Sequence, residues 1–162
     1  MTFRLRCWWT SGALVMGSAF LVGCGGEPTL YPVSGTVKMA GVPLDSAQVF
    51  FTSTNPSHNT ANVATNFYRG VAVTDAFGQF EASSNIGKPG LAAGEYKVTV
   101  NRPLNKSGKA LSRDDKDDDR PTGEPVESIP MPYCDNVNFM NSPLTITVPG
   151  GPFEFDIPAK LR

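Results

Sequence analysis

The sequence predicts an all-β domain of seven short strands behind an N-terminal export signal, on three observations. Sixteen glycines and fourteen prolines in 162 residues leave few ten-residue segments unbroken, which disfavours long helices. Apolar residues recur at every second position in several short runs, most clearly from Glu95 to Val100. The sustained apolar stretch, Cys7 to Phe20, lies at the N-terminus behind Arg4 and Arg6.

Taken in order, Met1 to Phe20 has the parts of a signal-peptide helix: a short positive start, an apolar middle with Trp8, Trp9, Leu14, Val15, Met16 and Phe20, and small residues toward the end. The run breaks at Gly25-Gly26-Glu27-Pro28, short of the ~20 apolar residues that span a bilayer. Leu21-Val22-Gly23-Cys24 resembles the lipobox of bacterial lipoproteins. That resemblance implies cleavage between Gly23 and Cys24, a diacylglyceryl group on the Cys24 thiol and a fatty acyl chain such as palmitate on the new amine. Two or more chains, at ~0.8 kcal/mol per buried CH₂, tether a protein stably where one does not. Gly25, rather than Asp, after the cysteine implies the outer membrane or cell surface. An ordinary secretory signal and a retained membrane helix are the alternatives. Residues 1–23 are thus expected to be removed, 24–30 to be lipidated N-terminus and spacer, and 31–158 to form the domain.

Removal of 1–23 leaves 139 residues, ordinary for one domain, with twelve basic residues against fifteen acidic ones, a net charge of −3. Mild acidity argues against nucleic acid as a partner and against an electrostatic membrane footprint. With Cys7 removed and Cys24 lipidated, Cys134 stands alone, so packing must hold the core.

Val33 to Met39 alternates, with Val33, Gly35, Val37 and Met39 on one face. A turn at Ala40–Leu44 leads to Ala47–Ser53, with Ala47, Val49 and Phe51 inward and Phe50 left on the other face, under a loop. Polar Asn55–Asn66 reads as a loop, Phe67–Thr74 as a strand, and Asp75–Gly78 as a tight turn into Gln79–Ser83. Lys88–Gly94 reads as a turn before Glu95–Val100, with Tyr96, Val98 and Val100 inward and Glu95, Lys97 and Thr99 outward. Residues 101–142 break the rhythm with the charged run Arg113–Arg120 and repeated prolines, and read as a long structureless insertion. Leu144–Val148 and Phe153–Ile157, around Pro149-Gly150-Gly151-Pro152, read as a closing hairpin.

Val33-Ser34-Gly35-Thr36-Val37, Gly41-Val42-Pro43-Leu44 through Phe51, Thr74-Asp75 through Gly78 and Phe80, and Gly94-Glu95-Tyr96 through Val100 resemble the carboxypeptidase regulatory-like, or transthyretin-like, domains over about Tyr31 to Asn101. The family patterns are G-x-V, G-x-P-L-x-x-A-x-V, T-D-x-x-G-x-F and P-G-x-Y-x-V-x-V; Ala93 stands where the last usually has Pro. The resemblance implies a seven-stranded β-sandwich of Ig-like or prealbumin-like type. Such motifs specify turns and core, and leave function open.

Catalytic chemistry finds few candidates. His58, the single histidine, excludes a zinc site or proton relay built from several imidazoles and reads as a solvated loop residue. Cys134 is next to Asp135, which would raise rather than lower its pKa. Asp114–Asp119 invites calcium but lacks the spacing and glycine of an EF-hand, and Arg113, Lys116 and Arg120 offset its charge. Lys38 and Asp156 both point outward, against an internal isopeptide bond. No metal or cofactor is implied. The expectation is a non-enzymatic, lipid-anchored binding or structural module of the cell envelope. An accessory subunit or processing partner of an envelope enzyme or transport complex is the alternative. Its partner, an envelope protein or glycan, is expected at loop 101–142, where Ile129, Met131 and Tyr133 supply apolar and aromatic matter.

Overall fold

Side chains of successive strand residues point to opposite faces, so period-two apolar runs form sheets with one buried side. The computed structural model describes residues 27–59, 63–105, 107–111 and 126–159; the export signal, Gly23, Cys24 and the Asp114–Asp119 run lie outside them. The described strands are β1 (Leu30–Tyr31), β2 (Ser34–Met39), β3 (Val42–Pro43), β4 (Gln48–Ser53), β5 (Arg69–Val73), β6 (Gln79–Glu81), β7 (Ser83–Ser84), β8 (Leu91–Ala92), β9 (Gly94–Asn101), β10 (Pro103–Leu104), β11 (Val126–Glu127), β12 (Thr145–Val148) and β13 (Phe153–Ile157). The fold is all-β. Among the described residues the helical elements are short 3₁₀ turns, and no helix is long and apolar enough to cross a membrane.

The larger sheet has the order β12-β9-β4-β5-β7. The smaller is built on β2, with β13 along one edge and β3 and β6 sharing the other. Both contribute to one core. Val49, Phe51, Tyr96, Val98, Val100, Ile146 and Val148 come from the larger sheet, and Val37, Phe80, Phe155 and Ile157 from the smaller. Phe80 lies 5.8 Å from Phe51 and 6.0 Å from Phe155, ring centre to ring centre, tying the sheets together.

Strands occupy the seven places the sequence indicates, with informative differences. The run Gln79–Ser83 is split at Ala82: β6 pairs with β2 and β7 with β5, so one stretch of chain serves both sheets. Arg69, not Phe67, begins β5, because Val63–Tyr68 is a 3₁₀ turn. A second such turn, Pro56–His58, is capped by the Asn55 side chain, so the described residues of the expected loop, 55–59 and 63–66, are structured. Lys88–Gly94 contains β8, paired with β1, and Leu91 in it is fully buried.

The closing hairpin is overturned. β12 runs antiparallel to β9, whereas β13 runs parallel to β2 in the other sheet. Pro149 and Pro152 lack the N–H groups a tight hairpin would pair, and the exposed connection passes from one sheet to the other instead. Both strands then turn their apolar residues to the same interior from opposite sides. Gly35 permits the parallel closure: a Cβ there would lie 2.0 Å from the Phe153 carbonyl oxygen.

The described parts of 101–142 are packed rather than structureless. β10 pairs with β11, and the Glu127 carboxylate accepts from the amides of Arg102 (2.8 Å) and Ile129 (2.9 Å). The Val100 amide donates to Tyr133 O (2.8 Å), and the Ser142 hydroxyl donates to Val98 O. Ile129 is 3 % exposed within the core. The segment thus packs along β9, while β10 and β11 form a separate two-stranded sheet.

At the turns, Asp75 Oδ1 accepts from the amides of Phe77 and Gln79 (both 2.8 Å), and Gly78 has the positive φ (+73°) its turn requires. Buried Thr74 accepts from Ala47 N (2.8 Å) and donates to Leu44 O (2.6 Å), joining three segments. Thr74→Val would leave these backbone groups unpaired and is expected to cost about 1–3 kcal/mol. Ile129→Ala is expected to cost about 2–5 kcal/mol by cavity formation. Urea denaturation measures both; a loss below ~0.5 kcal/mol for Ile129→Ala would remove that residue from the core.

Candidate functional site

The alternation that fills the core also sets an outward row on the larger sheet. Register places Thr52 beside Arg69, and Phe50 between Val71 and Thr99. Thr99 was expected on the surface; it faces outward but is only 2 % exposed, because the segment after Asp135 folds over it. The Thr99 hydroxyl donates to Asn136 Oδ1, and Asp135 Oδ1 accepts from Asn138 N (2.7 Å), fixing that segment against β9.

Between this segment and β5 lies a groove of about 370 Å³, lined by Phe50, Thr52, Arg69, Asn85, Asn136 and Phe139 among others. Phe50 also borders a second hollow of about 570 Å³ with Gln48, Val71, Val73, Glu81 and Ser83. Arg69 is the cation lining the first. Its Nη2 makes a long 3.4 Å bond to Asn59 O, and its Nε is buried without a partner. The ion pairs among the described residues are Lys38–Glu154, Lys88–Glu27 and Arg102–Asp45, none of which engages Arg69. The groove therefore offers a guanidinium, amides, hydroxyls and aromatic rings together.

The residues singled out from sequence are dispersed. Gly23 and Cys24 lie outside the described residues. Ile129 is in the core, which withdraws it from any contact surface; its apolar neighbours in sequence gave no sign of which would be covered. Tyr133 is half-buried against the core, and Met131 is 54 % exposed. Met131 Sδ is 3.6 Å from Cys134 Sγ.

His58 is not simply solvated. Its Nδ1 is 3.1 Å from Ser53 Oγ, and its ring stacks on Tyr68 at 3.6 Å between centres. Since Ser53 is buried, the pair fastens the loop rather than presenting a nucleophile. Lys38 points outward as expected and pairs with Glu154, whose hydrogen bond and charge raise its pKa. The Tyr96 hydroxyl, pushed up by burial, donates to Ala92 O (2.7 Å) inside the core. Among the described residues no three His, Cys, Asp or Glu side chains form a metal-binding group.

Arg69, Asn85, Asn136 and Phe139 were not legible as a set, being brought together from three segments. Phe50, out of phase with its strand's buried face, was the one available signal. No family model, curated protein or solved structure matches the chain.

Burial pushes the Cys134 thiol up, and Glu127 and then Asp135 push in the same direction. Less thiolate forms at neutral pH in the folded state. Iodoacetamide is therefore expected to alkylate Cys134 more slowly in the native protein than in denaturant; equal rates would contradict this environment.

Proposed function

We propose that this chain is a lipid-anchored protein of the cell envelope whose non-catalytic β-sandwich, of the seven-stranded prealbumin type, serves as a binding module. The observation that carries the reading is the closeness of anchor to domain. β1 begins at Leu30, six residues after Cys24, a reach of at most about 20 Å in extended chain. A domain so tethered works beside the membrane surface, and the outer face of its larger sheet is the region with ligand-like features.

The packing of 126–142 supports the same reading. Binding residues are commonly held on loops by a rigid scaffold. Here Asn136 and Phe139 form one wall of the groove, fixed by the Thr99 bond. The contact region proposed is accordingly this wall with β4 and β5, in place of the whole 101–142 loop. The Ser53–His58–Tyr68 arrangement favours a structural rather than a catalytic role for the histidine.

Cys24→Ala is expected to abolish incorporation of radiolabelled palmitate in a bacterial host and to move the protein into the soluble fraction. Undiminished labelling or persistent membrane association would overturn the anchor.

A further inference from the structure

We propose that the groove on the outer face of the larger sheet binds a sugar of the uronic acid class, with the pyranose ring against Phe50 and the carboxylate on Arg69. The inference rests on reading the domain as a binding module, and is independent of the lipid.

Arg69 supplies the charge complementarity. A guanidinium matches a carboxylate in a planar, two-bond geometry, and Arg69 lines the groove with its Nη2 held by a long 3.4 Å bond to Asn59 O. The groove's other polar groups suit hydroxyls. Because Asn136 Oδ1 accepts from Thr99, its NH₂ is left to donate, while Thr52 and Asn85 can donate and accept. Phe50 and Phe139 offer apolar surface to the C–H face of a pyranose ring. A hollow of about 370 Å³ lies at the small end of the range for ligand pockets. Glu81, in the adjoining hollow, repels a carboxylate there and so orients the ligand toward Arg69.

An extended peptide fits less well. β4, at the floor, has both edges paired, with β5 and β9, so no free backbone ladder is available to add a strand. Recognition must come from side chains alone, which suits a ring carrying several hydroxyls.

The test is calorimetry on the full chain in detergent with digalacturonate, its methyl ester and hexaglutamate. Digalacturonate is expected to bind, with the ester at least tenfold weaker. Arg69→Gln should weaken the acid at least tenfold and leave the ester unchanged, Arg69→Lys should fall between, and Phe50→Ala should weaken both sugars. The ester comparison uses the native chain and decides the matter even if a variant fails to fold. Equal affinity for acid and ester, or full affinity in a folded Arg69→Gln protein, would overturn the proposal. Hexaglutamate binding without either sugar would overturn the sugar while leaving the binding module, and failure of all three would count against both.

Discussion

Everything in this fold depends on two apolar sheet faces burying each other without covalent help. The thiol within the described residues, Cys134, is free, so the sheets are held by side-chain packing across the interior. Phe80 is central, reaching Phe51 of the opposite sheet and Phe155 of its own. The chain reinforces that contact by sharing segments between the sheets: β6 and β7 are one stretch divided at Ala82, and β12 and β13 bracket the core from opposite sides. Gly35 lets the last strand close beside the first long one. Opposite faces of these strands are consequently fixed as well, and the groove is a by-product of that rigidity.

Much of the strand content was legible because alternation is a local property. Val49 and Phe51, or Tyr96, Val98 and Val100, announce a buried face within six residues. Pairing is not local. The apolar alternation in Leu144–Ile157 does not distinguish a hairpin from two strands in opposing sheets, since both solutions bury the same residues; the prolines at 149 and 152 are the clue to the second. Two-residue ladders such as β1–β8 and β10–β11 are too short to carry a period. For this reason sequence alone reads Leu91 as part of a turn and Ile129 as part of a surface.

The groove was less legible still. Its polar groups come from β4, β5, the turn at Asn85 and the segment after Asp135, and no spacing relates them. Thr99, placed outward by parity, is instead the residue that secures the wall through Asn136. The proposed lipobox stands at the other extreme, a contiguous pattern read from sequence alone. Proposed anchor and groove together give the proposed function its form: one end of the chain held at a membrane, and a sheet face with a guanidinium outside the ion pairs of the described residues, beside aromatic rings.

Residues 126–142 belong to the same rigid body as the sheets. Amide hydrogen exchange by nuclear magnetic resonance tests it most directly, since protection reports the free energy of local opening. The amides of Ile129, Asn138 and Ser142 should be protected within about tenfold of Val98 and Phe51. Exchange of the 129–142 amides at unprotected rates, with β4 and β9 remaining slow, would contradict it.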